Sequence, residues 1–336
     1  MVDPVLPLIA IGVGGLTPSA AILALRDRDA KRWSSQLIAY RLEVPSTFDP
    51  EGLRQFLGAM TGLLTARWER PVSVRGIGVE VTASVHGIEH LLLVPRHQSG
   101  IVLGQARGTL PGVRMTAAPE YRPPVPTLAG ELATPHPDQQ LRIDRPEVVA
   151  AGVLAALQPL EVGEQMVVQT LLLPMAPSVS GRSVVATALG AFFTKSSTGA
   201  DAKPPPLTHK QRLPQFSAVV RLGVTSESSS RDRLLLGRLT ASFHNLNSPE
   251  ATLRRRQLSS RRTGRALVAR RPPVLGRPCT LNSAELSGLL AFPPKGVSLP
   301  GLRTGGCRQL APSSDIPTTG RIVADSTYGL PRCRRP

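Results

Sequence analysis

The residues of this chain best suited to chemistry are arginines. Between positions 254 and 271 stand Arg254, Arg255, Arg256, Arg261, Arg262, Arg265, Arg270 and Arg271, with no Asp or Glu among them. A guanidinium stays charged and presents a planar fork that matches phosphate bidentately, so the run is a candidate site for nucleic acid or anionic lipid. Each phosphate neutralised releases counterions, which makes such binding salt dependent. No aromatic residue stands within the run. Base stacking is therefore not on offer, and any contact with nucleic acid is expected to be electrostatic and sequence independent. A solvated basic loop would look the same in sequence.

The other chemistries are weakly represented. A phosphate-cradling loop needs a Gly-Lys step, and none occurs. Gly12–Gly15 lies in an apolar leader with no strand ahead of it, so it is not a dinucleotide fingerprint. His86 and His90 are four apart, but in extended chain that spacing does not converge on a metal as it does on a helix. Glu80, Glu89 and Glu131 fall near strands without forming a catalytic pair, and carboxylates there are expected to face solvent. Cys279, Cys307 and Cys333 are odd in number and far apart, which disfavours a disulfide framework or a zinc site and fits a reducing compartment. The expectation is a chain with no catalytic residues, no cofactor and no metal of its own.

The charge is unevenly spread. The net +17 comes from 40 basic and 23 acidic residues, and residues 177–336 carry all of the excess. That asymmetry points to a polyanionic partner, although Arg outnumbers Lys 35 to 5, as it would in an Arg-biased genome. Hydrophobic content of 41% allows a sizeable core, and with aromatics at 4% the core must be built from Leu, Val, Ile and Ala. The 33 Pro and 30 Gly predict many turns.

Residues 4–25 carry no charge and are followed by Arg26, Arg28, Lys31 and Arg32. The length suits a membrane span, and the flanking charge places the body of the chain in the cytoplasm: a single-pass cell-membrane protein. The alternative is a buried hairpin of a soluble domain.

The body is expected to be α+β. Residues 36–45 predict a strand, 49–64 a helix capped by Asp49, 77–85 and 89–95 a hairpin, 99–109 a helix and 113–117 a strand. That β-α-β-β-α-β order is the split arrangement of ferredoxin-like domains. It is repeated by a strand at 127–133, a helix at 145–158, strands at 164–173 and 215–225, a helix at 230–246 and a final short strand at Val268. The apolar run of 164–173 predicts burial on both faces. The resulting division is an anchor over 1–30, a first α+β domain over 31–122, a second over 123–295 with a flexible insertion at 177–214, and a Pro/Gly-rich tail over 296–336. Val184–Phe193, inside the insertion, could form a short docking helix.

Several segments carry a resemblance: LPGVRM (110–115), PEVVAAGVLAALQPLEVGEQMVVQTLLLPMAP (146–177), LNSAELSGLLAFPP (281–294), LPGL (299–302) and IPTTGRIVADSTYG (316–329). The chain resembles, over roughly 30–330, the region ahead of the motor in actinobacterial type IV secretion and conjugal-transfer ATPases of the coupling-protein and HerA-like class. Glu285, Leu286, Leu289, Leu290 and Pro293 match the Leu-rich helix that leads into that family's motor. The resemblance implies a membrane-tethered, non-catalytic assembly and binding region. Its expected partners are an ATPase motor subunit or other secretion components, DNA through electrostatic contact, the membrane and a second copy of the chain. No Walker lysine or magnesium ligand carries over, because the chain ends at Pro336, about where the motor would begin. Two alternatives stand beside this expectation: a soluble enzyme using a pocket between the two α+β units, and a truncated gene fragment.

Overall fold

The computed structural model describes residues 20–64 (except 22 and 47), 76–175, 208–273, 278–305 (except 298, 300 and 303), 321–324 and 333–335. Within these the protein is mixed α+β, with a mostly antiparallel sheet and seven helices. Most of the uncharged run 4–25 lies outside the described residues, as do Val184–Phe193 and the triple proline. Among the described residues no helix is long and apolar enough to cross a membrane.

The first half contains a helix at 23–35 (α1), β1 (Leu37–Pro45), α2 (Pro50–Leu64), β2 (Ile77–Ser84), β3 (Gly87–Pro95), α3 (Ser99–Thr109) and β4 (Arg114–Ala117). The start of α2 is set as its sequence suggests. The Asp49 carboxylate accepts the backbone N–H of Glu51 at 2.9 Å, and Pro50 occupies the first turn, where no N–H is needed. The β2–β3 turn falls on Val85 and His86. Gly87 has a φ of 121°, and a Cβ there would lie 2.2 Å from the Gly301 carbonyl oxygen, so only glycine lets the two backbones meet.

The second half holds β5 (Leu128–Ala133), α4 (Pro146–Ala156), β6 (Gln165–Pro174), β7 (Gln215–Thr225), α5 (Ser229–Ser242), β8 (Arg254–Arg255), α6 (Ser260–Val268), β9 (Cys279–Asn282) and α7 (Ser283–Leu289). Short β10 (Thr304–Gly305), β11 (Arg321–Ala324) and β12 (Cys333–Arg335) follow, β11 and β12 pairing with each other.

Pairing in the first half runs β4-β1-β3-β2, and in the second β6-β7-β5-β8; β9 adds to β7, and β10 pairs parallel with the end of β1. The halves are joined strand to strand: β2 pairs antiparallel with β6 from Ile77↔Leu172 to Ser84↔Gln165. One continuous sheet and one main apolar core therefore span both halves.

The sheet has two unlike faces. On one, the alternate residues Val79, Val81, Leu92, Val168, Val220 and Leu222 pack under α2, α3, α4, α5 and α7. On the other, Trp33 of α1 covers Leu171 and Val219, donating its indole N–H to Gly76 O at 3.3 Å. Met166–Leu172 is buried without a break, as the apolar run predicts. Gly223 lets α6 settle on this second face, since a Cβ would sit 2.8 Å from Val167 Cγ1 and 3.1 Å from Leu267 Cδ1.

One expectation about the elements is corrected. Val268 ends helix α6 rather than forming a strand, and the last ladder partner of β5 is β8. The end of the 177–214 insertion is anchored, with Lys210 only 2% exposed. The start of the tail contributes Leu299 and Leu302 to the edge of the core.

Candidate functional site

Glu80 and Glu131 do not face solvent: they are 0% and 6% exposed. They are the two acids of a polar row that crosses the second face in strict register. Glu80 on β2 lies opposite Gln169 on β6, Gln169 opposite Arg221 on β7, and Arg221 opposite Glu131 on β5. Because residues directly opposite on neighbouring strands share a face, four side chains from four strands meet in a line.

Every link in the line has a defined direction. Arg221 Nε donates to Glu131 Oε2 at 3.3 Å, and its Nη1 donates to Gln169 Oε1 at 3.2 Å. Gln169 Nε2 donates to Glu80 Oε1 at 2.8 Å. A guanidinium only donates and a carboxylate only accepts, so the amide of Gln169 can have one orientation. The ends are closed by arginines of the basic run. Arg256 Nη1 donates to Glu131 Oε1 at 2.8 Å, while Arg270 grips both oxygens of Glu80 at 3.1 Å. Tyr121 donates its hydroxyl to Glu80 Oε2 at 2.8 Å, and the Arg270 guanidinium lies 5.2 Å from the centre of its ring. Burial, reinforced by the Glu80 charge, holds the Tyr121 hydroxyl well above its ordinary pKa. Burial lowers that of Arg221, opposed by the charge of Glu131.

The row also holds α6. Arg221 Nη1 donates to Ala266 O at 3.3 Å and Gln169 Nε2 to Leu267 O at 2.8 Å, so two carbonyls of the last turn receive donors from the sheet. Arg270 follows the helix with φ of 51°, and the N–H groups of Arg270 and Arg271 donate to Leu267 O and Ala266 O at 2.9 and 3.0 Å. This is a Schellman end with arginine where glycine is usual. At the other end the backbone N–H of Ala129 donates to Ser260 Oγ at 2.8 Å.

The eight arginines therefore separate into two groups. Arg256 and Arg270 turn inward as ion-pair partners of Glu131 and Glu80. Arg254, Arg255, Arg261, Arg262, Arg265 and Arg271 are exposed. On α6 the buried residues are Thr263, Gly264 and Leu267. At about 100° per residue, Arg261, Arg262 and Arg265 fall within about a quarter-turn of one another on the opposite side. The helix presents an arginine face to solvent and an apolar face to the sheet. The row beneath it left a weak trace in sequence: isolated polar residues, Gln169 and Arg221, inside apolar strands.

The helix-covered face holds a different kind of polar site. Lys210 Nζ lies 3.2 Å from Glu285 Oε1 and donates to Gln139 O at 2.8 Å. Glu285 also accepts the N–H groups of Leu141 and Asn282 at 2.7 and 2.8 Å. Burial lowers the pKa of Lys210 and raises that of Glu285, each opposed by its partner's charge. Glu285, Leu286, Leu289 and Leu290 of α7 and its end are all buried here. Beside them burial pushes the Cys279 thiol up to about 11. His90 is buried against Phe292 with its Nε2 2.8 Å from Ala291 O, and burial lowers it to about 4. It does not converge with His86, which lies in the β2–β3 turn. Among the described residues no group of His, Cys, Asp and Glu could hold a metal. A shallow depression of about 370 Å³ lies between the halves, lined by Pro50, Val148, Ala151 and Pro294 with Glu147 and Lys295 as its charged residues. It shares no residue with the row.

No protein-family model matches the chain, and no curated protein matches it either.

Proposed function

We propose that this chain is a membrane-tethered, non-catalytic assembly and binding region related to the part of type IV secretion and conjugal-transfer ATPases that precedes the motor. In this reading it is built from two ferredoxin-like halves set edge to edge. Two β-α-β-β-α-β runs, paired β4-β1-β3-β2 and β8-β5-β7-β6, support that description, with the β2–β6 ladder as the seam between them. The uncharged run 4–25 is the tether, and an ATPase motor on another chain is the partner.

The observation that carries the binding role is the separation of the arginines. Two are spent on Glu80 and Glu131, and they fix the segment to a rigid sheet. None of the six exposed ones forms an ion pair among the described residues. A loose basic loop would not need buried anchors; a surface that must present charge in a set place does. The face serves as a docking surface for a polyanion.

Retention of the full chain on immobilised heparin, eluted with salt, tests this. The parent is expected to need substantially more salt than the Arg261→Ser/Arg262→Ser/Arg265→Ser variant, since each phosphate-like contact adds about one to the salt slope. Equal elution of the two, with the variant folded, would remove the binding role.

A further inference from the structure

We infer that the polyanion met by the arginine face is an anionic membrane surface, the one to which the chain is tethered. This rests on the docking role proposed above and adds its partner. Three observations place the face toward a membrane.

The first is a shared side. Trp33 fixes α1 to Leu171 and Val219 on the second face of the sheet, and Leu267 fixes α6 to Gly223 on that same face. The uncharged run 4–25 precedes α1 in sequence, and α1 stands on the same face as α6. The second is a shared sign of charge. Arg28 and Arg32 of α1 are exposed, as are Arg261, Arg262 and Arg265 of α6, while Lys31 is paired with Asp27. Basic side chains near an anionic leaflet each strengthen attachment, by a factor of about five.

The third is the apolar residues among these charges. Leu258, in the turn ahead of α6, is 49% exposed, and Val125 is 73% exposed. Pro126, next to Val125, packs against Gly264, which puts Val125 beside the helix. Exposed aliphatic side chains flanking an arginine face suit a headgroup–acyl boundary, where the charges meet phosphates and the apolar groups leave water. A contact confined to the charged backbone of duplex DNA would leave them unused.

The full chain, reconstituted into vesicles containing brominated lipid, tests the orientation through tryptophan quenching. Leu258→Trp reports on the arginine face. Val148→Trp, at a half-exposed site on α4 across the sheet, is the control. The proposal expects Leu258→Trp to be quenched over the parent background in anionic vesicles, and Val148→Trp not to be. Quenching should fall severalfold in neutral vesicles, in high salt, and when Arg261, Arg262 and Arg265 are changed to Ser. If the chain stays with the vesicles and heparin retention depends on those arginines, yet Leu258→Trp is unquenched, the lipid assignment is overturned and the docking role stands. Protection of Leu258→Trp from a soluble quencher by duplex DNA, in the absence of lipid quenching, overturns it in favour of nucleic acid. If heparin retention is also independent of the arginines, both readings fall. Equal quenching at positions 258 and 148 overturns the orientation.

Discussion

Two helices end in the same unusual way on opposite faces of the sheet. After α6 the chain turns at Arg270 with φ of 51°, and after α7 it turns at Ala291 with φ of 53°. Glycine is the ordinary choice for both. Each end is docked to a polar group on a strand, but the chemistry differs. Arg270 reaches Glu80 with a charged fork, whereas Ala291 accepts from His90 through a carbonyl. The contrast extends to the faces themselves. Under α2, α4 and α7, burial drives His90 and Cys279 toward their neutral forms. On the α6 side, Glu80, Gln169, Arg221 and Glu131 follow one another from strand to strand, and each buried charge has an opposite one beside it. One face sets the buried Lys210–Glu285 pair beside groups held neutral, and the other runs its buried charges in a row beneath a surface that displays more of them.

The largest test of this contrast is Arg221→Leu. It leaves Glu131 with Arg256 alone, removes the donor to Gln169 Oε1 and takes one of its two donors from Ala266 O of α6. Breaking a buried pair from one side costs about 3–5 kcal/mol. Chemical denaturation at neutral pH should show that loss, and hydrogen exchange should quicken in α6 before it does in α2. A cost below about 1 kcal/mol would mean that the row does not hold the face together.

Much of this was legible in sequence, for identifiable reasons. The helix at Ser99–Thr109 and the strand at Gln215–Thr225 fall where periodicity places them, because apolar spacing and turn residues agree there. Val268 was misleading because no glycine marks the end of α6. The left-handed residue is an arginine, retained by a contact with Glu80 that lies 190 positions away in the chain. Glu80 and Glu131 read as solvent-facing for a related reason: their partners come from distant strands and segments, and strand periodicity cannot reveal what covers a face. The arginines were visible as a run, but which two of them turn inward depends on where the fold places Glu80 and Glu131.

A second test uses acid to charge a group that burial keeps neutral on the helix-covered face. The pKa of His90, at about 4, lies below its ordinary 6.5, so the unfolded chain takes up the proton first as pH falls. The stability carried by the neutral ring is complete above about 6.5 and is lost as pH drops toward 4. That difference corresponds to about 3 kcal/mol. Urea denaturation across this window should show the slope, and His90→Leu should flatten it. A slope unchanged in that variant would assign the acid sensitivity to other groups.

The finest test returns to the two helix ends and substitutes glycine at each. A left-handed non-glycine residue costs about 1 kcal/mol or more, and glycine relieves it in both places. At Ala291 the gain is offset by the loss of one buried methyl, about 0.8 kcal/mol, while the carbonyl that faces His90 remains. Ala291→Gly should therefore lie within about 0.5 kcal/mol of the parent in thermal or chemical denaturation. At Arg270 the same relief is outweighed, because the fork on Glu80 and the stacking on Tyr121 disappear together. The side chain is 12% exposed, so solvent screens part of that loss. Arg270→Gly should be less stable by about 2 kcal/mol. If both substitutions were neutral, Arg270 would be one more surface arginine, and the division between anchors and displayed charges would fail at its most specific point.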